Sequence, residues 1–144
     1  MSAGRRSARR RAVFILYQQD LLKLGAEAAL RREQDEELSD YARQVVLGTE
    51  AEREQIDLLV DQNVTGWSLE RLGVLERSIL RVAAYELLRE IDVPVAVVID
   101  EAVNLAKRFC SGEAGALING VLGSLAATAR AQTPKREADT ERTT

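Results

Sequence analysis

The chain has 144 residues, 46% hydrophobic and 30% charged, the composition of one ordinary folded domain. A single cysteine, Cys110, and the lack of any histidine exclude a disulfide framework, a Cys/His zinc site and every catalytic scheme that needs imidazole. The formal net charge of −3 is uneven: residues 1–19 hold Arg5, Arg6, Arg9, Arg10 and Arg11 and no acid, whereas the other 125 residues hold 15 basic and 23 acidic side chains, a net of −8. A basic arm on an acidic body points to a local polyanion site on a protein that otherwise repels polyanions.

No apolar run is long enough for a membrane span. Ala12 to Tyr17 is too short for a signal peptide and stops at Gln18, so the expected location is cytoplasmic.

In chain order, Ser7 is placed to cap a first helix whose apolar face reads Val13, Leu16, Tyr17, Leu21 and Leu24, with Gly25 to end it. Residues 26–36 predict one short helix. Ser39 caps the next, whose stripe from Ala42, Val45 and Val46 through Thr49 to Ile56, Leu59 and Val60 predicts one long helix out to Asn63. Gly66 breaks it, and Ser68 caps a single turn ended by Gly73. Residues 74–91 are apolar almost all round, the mark of a buried central helix.

Pro94 suits the first helical position of the following element, whose seam is Val95, Val98, Ile99, Ala102, Leu105, Ala106 and Phe109. Val93 to Ile99 is β-branched enough to be a strand candidate, but the 3.6-residue seam favours helix. Ser111 to Gly115 reads as a loop. Leu117, Ile118, Val121, Leu122 and Leu125 face inward from a last helix ending near Arg130. The expected fold is all-α: about seven helices in two packed bundles around a buried central helix, spanning residues 1–130, with 131–144 a disordered polar tail.

Arg5, Arg6, Arg9 and Arg10 recur at i, i+4. They are expected on the exposed side of the first helix, opposite Val13, Leu16 and Leu21. That arrangement suits phosphate contact with a nucleic acid; a solvated terminus is the plainer alternative. In the central helix, Arg81 and Glu86 must pair with neighbouring helices, because an unpaired charge there is costly. Glu76 and Arg77 lie in its first turn, within reach of solvent and a ligand.

Enzyme chemistry finds no footing. Asp100 and Glu101 are adjacent and point about 100° apart on a helix, so they form no facing acid–base pair. The Gly112–Gly115 segment lacks the lysine and preceding strand of a P-loop. Cys110 reads as an apolar filler, and Trp67 and Tyr41 as packing. No catalytic residue, cofactor or metal is expected.

Four segments resemble one known family. They are Arg5-Arg6-Ser-Ala-Arg9 running into Leu16-Tyr17; Trp67-Ser-Leu-Glu-Arg71 with Glu76-Arg77-Ser-Ile-Leu80-Arg81-Val-Ala83-Ala-Tyr85-Glu86; Val93-Pro94 through Asp100-Glu101-Ala102 to Ala106-Lys107-Arg108-Phe109; and Ile118-Asn119-Gly120-Val121-Leu122. In this order, over residues 5–130, they resemble the NusB family of transcription antitermination factors.

The resemblance implies seven helices in two bundles. It also implies binding to the boxA element of ribosomal RNA operon transcripts, together with NusE, a protein of the small ribosomal subunit. Other Nus factors and RNA polymerase would complete a larger complex that suppresses premature termination. The family contacts carried over are Arg5, Arg6 and Arg9. The start of the central helix, Glu76 and Arg77, lies near RNA and partner, and so does Glu113 in the loop before the last helix; Tyr17 occupies a matched position. The chain departs from the family at Glu113-Ala114-Gly115-Ala116-Leu117, where a serine, a basic residue and a phenylalanine able to stack on a base are missing.

On this reading the arm acts by adhesion. Four or five phosphate contacts give a log–log salt slope of roughly −3 for single-stranded RNA. Replacing Arg5, Arg6 and Arg9 by alanine is expected to flatten that slope while sparing the thermal midpoint. The alternative function is a helical homodimer or interaction module with only non-specific RNA affinity.

Overall fold

Helix-forming sequence, punctuated by Gly25, Gly73, Pro94 and Gly112, builds a chain of helices and short links. The computed structural model describes residues 3–32, 38–64 and 72–132. These form α1 (Ala3–Leu22), α2 (Ala26–Arg32), α3 (Asp40–Ala51), α4 (Arg53–Gln62), α5 (Val74–Arg89), α6 (Val95–Phe109) and α7 (Ala114–Gln132), with no strand among the described residues. The Gly66 break, the Ser68 turn with Trp67, and the tail from residue 133 onward lie outside them.

The all-round apolar sequence of α5 has its expected consequence. Every residue from Ser78 to Leu87 is buried, and α5 packs against α1, α3, α4, α6 and α7. On one side α1, α2 and α3 pack on one another; on the other, α6 and α7 pair and α4 reaches α7. The two bundles share α5. Val13, Val45, Ile56, Leu80, Leu87, Val98, Ile118 and Leu122 are all but inaccessible, so each surrounding helix contributes a stripe to one continuous core.

Ser39 caps α3 as expected, its Oγ accepting the Ala42 N–H at 3.1 Å. The long helix expected from 39 to 63 is instead two helices. Glu52 (φ −110°, ψ 19°) interrupts it, although its N–H still donates to the Gly48 carbonyl and its carbonyl accepts from Ile56. A one-residue bend lets α3 lie on α1 while α4 reaches α5 and α7; a periodic apolar stripe does not report such a bend.

Ser7 does not cap α1, which already runs from Ala3. Gly25 does not end it either: the left-handed residue is Lys23 (φ 56°), and the Leu24 N–H closes back on the Gln19 carbonyl at 2.9 Å, the Schellman arrangement. Pro94 precedes α6 rather than opening it, its extended carbonyl accepting from Val97 and Val98. Gly115 belongs to α7 rather than to the loop, and α7 continues two residues past Arg130. Leu21 and Phe109, assigned to apolar faces by spacing, are 51% and 45% exposed. Each sits in the last turn of its helix.

Two close approaches fix the bundle. A Cβ on Gly48 would stand 2.5 Å from the Tyr85 ring, so only glycine lets α3 lie this close to α5. A second set of ties is ionic. Arg81 reaches Asp57 of α4 and Asp20 of α1, each at 2.7 Å, and Arg53 reaches Asp20 at 2.7 Å. These four side chains hold together the far end of α1, about 20 Å along the helix from its arginines.

Candidate nucleic-acid interface

The arginine arm is not loose: it is the first half of α1, laid across the body. Its i, i+4 pairs diverge. Arg5 and Arg9 turn toward α3 and α5, whereas Arg6 and Arg10 turn toward α6.

Arg9 corrects the sequence reading. It is 2% exposed, not on the solvent side. Its Nε and Nη2 donate to the two oxygens of Glu86 at 2.5 and 2.8 Å, and the Tyr41 hydroxyl donates to the same carboxylate at 2.5 Å. Burial works to lower the Arg9 pKa, but the hydrogen bond and charge of Glu86 outweigh it and hold the guanidinium more firmly protonated than usual. Burial and the neighbouring Glu86 also push the Tyr41 phenol well up, so it stays a donor. The Arg5 guanidinium then lies 4.2 Å over the centre of the Tyr41 ring, within cation–π range. Glu86 thus fixes Arg9 and Tyr41, and Tyr41 carries Arg5.

Sequence had assigned Glu86 and Arg81 to pairing between helices, which is what both do. Tyr41 is half-buried packing, as expected, with a polar role that spacing does not reveal.

On the other side, Arg6 Nε meets Glu101 at 2.7 Å. Beside that pair lies a recess of about 300 Å³, lined by Arg6, Arg10, Glu101, Asn104, Leu105 and Arg108. One of its lining residues, Arg108, adjoins an aromatic group on α1 and α6. Phe14 packs edge-on against both Phe109 (5.1 Å between centroids) and Tyr17 (6.4 Å), and Arg108 lies 5.5 Å from the Phe109 centroid. Sequence reasoning missed Asn104, Arg108 and this aromatic group. The only available signal was that Arg108 and Phe109 fall in a helix's last turn.

The remaining candidates come from the ends of α5 and α7. The Glu76 carboxylate accepts from the Gly73 N–H at 3.3 Å and so caps α5, the favourable place for an acid. Arg77 is partly buried, and its Nε has no hydrogen-bond partner. Burial, and then the charge of Glu76, push the Cys110 thiol up, which places Glu76 near the α6–α7 loop and makes Cys110 a poor nucleophile. Glu113 is exposed in that loop, its carbonyl accepting from Leu117 at 3.2 Å. The α5 start, the α6 end and the α7 start therefore share one end of the molecule.

Among the described residues no group of three or more His, Cys, Asp or Glu side chains could hold a metal ion, and no helix is long and apolar enough to cross a membrane.

A fixed basic helix on a two-bundle, all-helical body is the build of a transcription antitermination protein, and the comparisons with known proteins agree. The chain belongs to the NusB family, whose signature matches residues 6–127. It is 46% identical over 121 residues to the transcription antitermination protein NusB of Rubrobacter xylanophilus, an alignment covering 83% of this chain and 87% of that protein. Among solved structures it is similar to T. maritima NusB, with a TM-score of 0.81 and 35% identity over 88% of this chain and 93% of the other. It also resembles a chain in the crystal structure of antitermination factors NusB and NusE in complex with dsRNA, with a TM-score of 0.77 and 26% identity over 89% of this chain and 99% of the other.

Proposed function

We propose that this protein binds the boxA element of ribosomal RNA operon transcripts together with NusE. In the larger complex with other Nus factors and RNA polymerase it helps the polymerase avoid premature termination. The observation that carries the reading is the pinned arm: a helix with five arginines, held in one orientation by a buried carboxylate.

The mechanism is preorganised adhesion. Arg5, Arg6 and Arg10 neutralise backbone phosphates, the first two already partly ordered by Tyr41 and Glu101. Arg9 holds the arm in place rather than reaching for RNA. Glu76, Arg77 and Glu113, gathered toward the other end of the same region, supply polar contacts to unstacked bases or ribose hydroxyls. Leu117 offers no aromatic platform, so stacking falls to Tyr17 and the Phe14–Phe109 pair. No step of this function makes or breaks a covalent bond, so the protein works without a catalytic residue, cofactor or metal. Its place of action is the cytoplasm, where the polymerase works.

The test is fluorescence anisotropy of a labelled boxA RNA against a scrambled RNA, with and without NusE of the same organism. Selective binding that tightens with NusE is expected. Equal affinity for both RNAs, unmoved by NusE, overturns the reading. Leu21 and Leu22, each half exposed at the far end of α1, support a second reading, self-association. A mass of two chains by light scattering, coupled to weak and unselective RNA binding, would establish it.

A further inference from the structure

We propose that the recess between α1 and α6 is a seat for one RNA backbone phosphate, with Arg10 and Arg108 as its principal ligands and Asn104 as a neutral donor. The proposal rests on the RNA-binding reading above and deepens it by adding a contact on α6.

Four observations carry it. The recess gathers three guanidinium groups, those of Arg6, Arg10 and Arg108, against a single carboxylate, Glu101. That carboxylate is engaged by Arg6 at 2.7 Å, which leaves a positive surplus facing the opening. The Arg10 Nε is buried and has no acceptor; a buried guanidinium N–H without one is costly, and an anionic oxygen is the strongest remedy. Arg108 is exposed and lies near the Phe109 ring, itself braced by Phe14. No carboxylate among the described residues pairs with Arg108, so its planar fork remains available to a phosphate.

The lining also selects the occupant. Among the described residues Leu105 is the only apolar side chain in the wall, too little to hold the organic body of a small metabolite. Arg6 and Arg10 belong to the arm itself, so an RNA strand running along α1 passes over the recess. Charge at the end of α6 has a simpler use, compensating the helix dipole. The two roles differ in what they predict for RNA.

The test uses the full chain. Anisotropy of labelled boxA RNA is followed from low to high salt for the wild type, Arg108→Gln, Arg10→Gln and a control, Arg32→Gln on α2. Each recess variant is expected to flatten the log–log slope by about 0.7 and to weaken binding about three- to ten-fold near 0.1 M salt. The control should leave both unchanged, with thermal midpoints alike. An unchanged slope in Arg108→Gln overturns the seat. If the wild type binds boxA and scrambled RNA equally but the slope still depends on Arg108, the seat stands and the boxA reading falls.

A second readout separates the two sources of phosphate. The Arg10 Nε–Hε NMR signal is followed while inorganic phosphate or the RNA is added at constant ionic strength. RNA acting at far lower concentration than phosphate supports the proposal. Movement with inorganic phosphate alone overturns RNA as the occupant, and movement with neither overturns the site.

Discussion

Arg9 on α1 and Glu86 on α5, 77 positions apart in the chain, meet in the interior as a two-point ion pair whose side chains are 3% and 0% exposed. This contact joins the arm to the central helix. With Tyr41 donating to the same carboxylate, it turns a run of arginines into an oriented surface. Removing one partner of such a pair leaves a buried, uncompensated charge, which costs about 3–5 kcal/mol.

Glu86→Leu and Arg9→Ala are therefore each expected to lower the thermal midpoint by about 10 °C in a chain of this size. The double variant Arg9→Met/Glu86→Leu should recover most of the loss, because no charge is then stranded. Calorimetry checks this, and a loss in the double equal to the sum of the singles would refute it. The expectation that Arg9 could be removed without thermal cost is corrected by its burial.

Arg5 and Arg6 behave differently. Arg6 keeps a side chain 57% exposed, and Arg5 lies on the Tyr41 ring. Arg5→Ala/Arg6→Ala is expected to flatten the salt slope of RNA binding by about 1.4 and to move the thermal midpoint by no more than about 2 °C. Anisotropy titrations at several salt concentrations decide it; a slope equal to the wild type's would remove the arm from the RNA path.

Acid stability is expected to depend on Asp20. Burial works to raise its pKa, but Arg53 and Arg81 outweigh that and hold it below the ordinary carboxylate value. A carboxylate lowered on folding contributes stability that is fully present above its unfolded pKa, about 3.9, and is lost as the pH falls through the folded value. Urea midpoints should thus drop on acidification below about pH 4. Asp20→Asn should be less stable at neutral pH and show a shallower acid decline. An identical decline in both proteins would assign the acid sensitivity elsewhere.

Gly48→Ala tests the α3–α5 contact. Alanine is the better helix former by about 1 kcal/mol, yet its methyl would enter the Tyr85 ring. Overpacking of this kind costs about 1–3 kcal/mol, so a net loss is expected in urea melts. In a Tyr85→Leu background the same substitution should become neutral or stabilising. A Gly48→Ala protein more stable than the wild type would show that the helices separate at little cost.

The periodicity of apolar residues placed the helices well because burial is a property of helix faces, which repeat every 3.6 residues. It failed where a face ends. Leu21 and Phe109 keep the spacing but are about half exposed in the last turns of their helices, and Glu52 bends a stripe that looks continuous. The arm was legible as charge but not as geometry: Arg5, Arg6, Arg9 and Arg10 are chemically identical, and only the position of Glu86 buries one of them. Beyond Arg108's place in a last turn, Arg108 and Asn104 carried no signal, because a recess is made by two helices that share no sequence pattern.

The sequence by itself determined that the chain is all-helical, that α5 lies at the centre and that positive charge is concentrated at one end. These follow from composition and local periodicity, which each segment carries independently of the others. The tertiary structure alone decided which arginines face solvent, where the arginine-lined opening lies and how the arm is oriented. Those depend on pairings across tens of residues, where a carboxylate such as Glu86 or Glu101 chooses its cation by proximity in space and not in sequence.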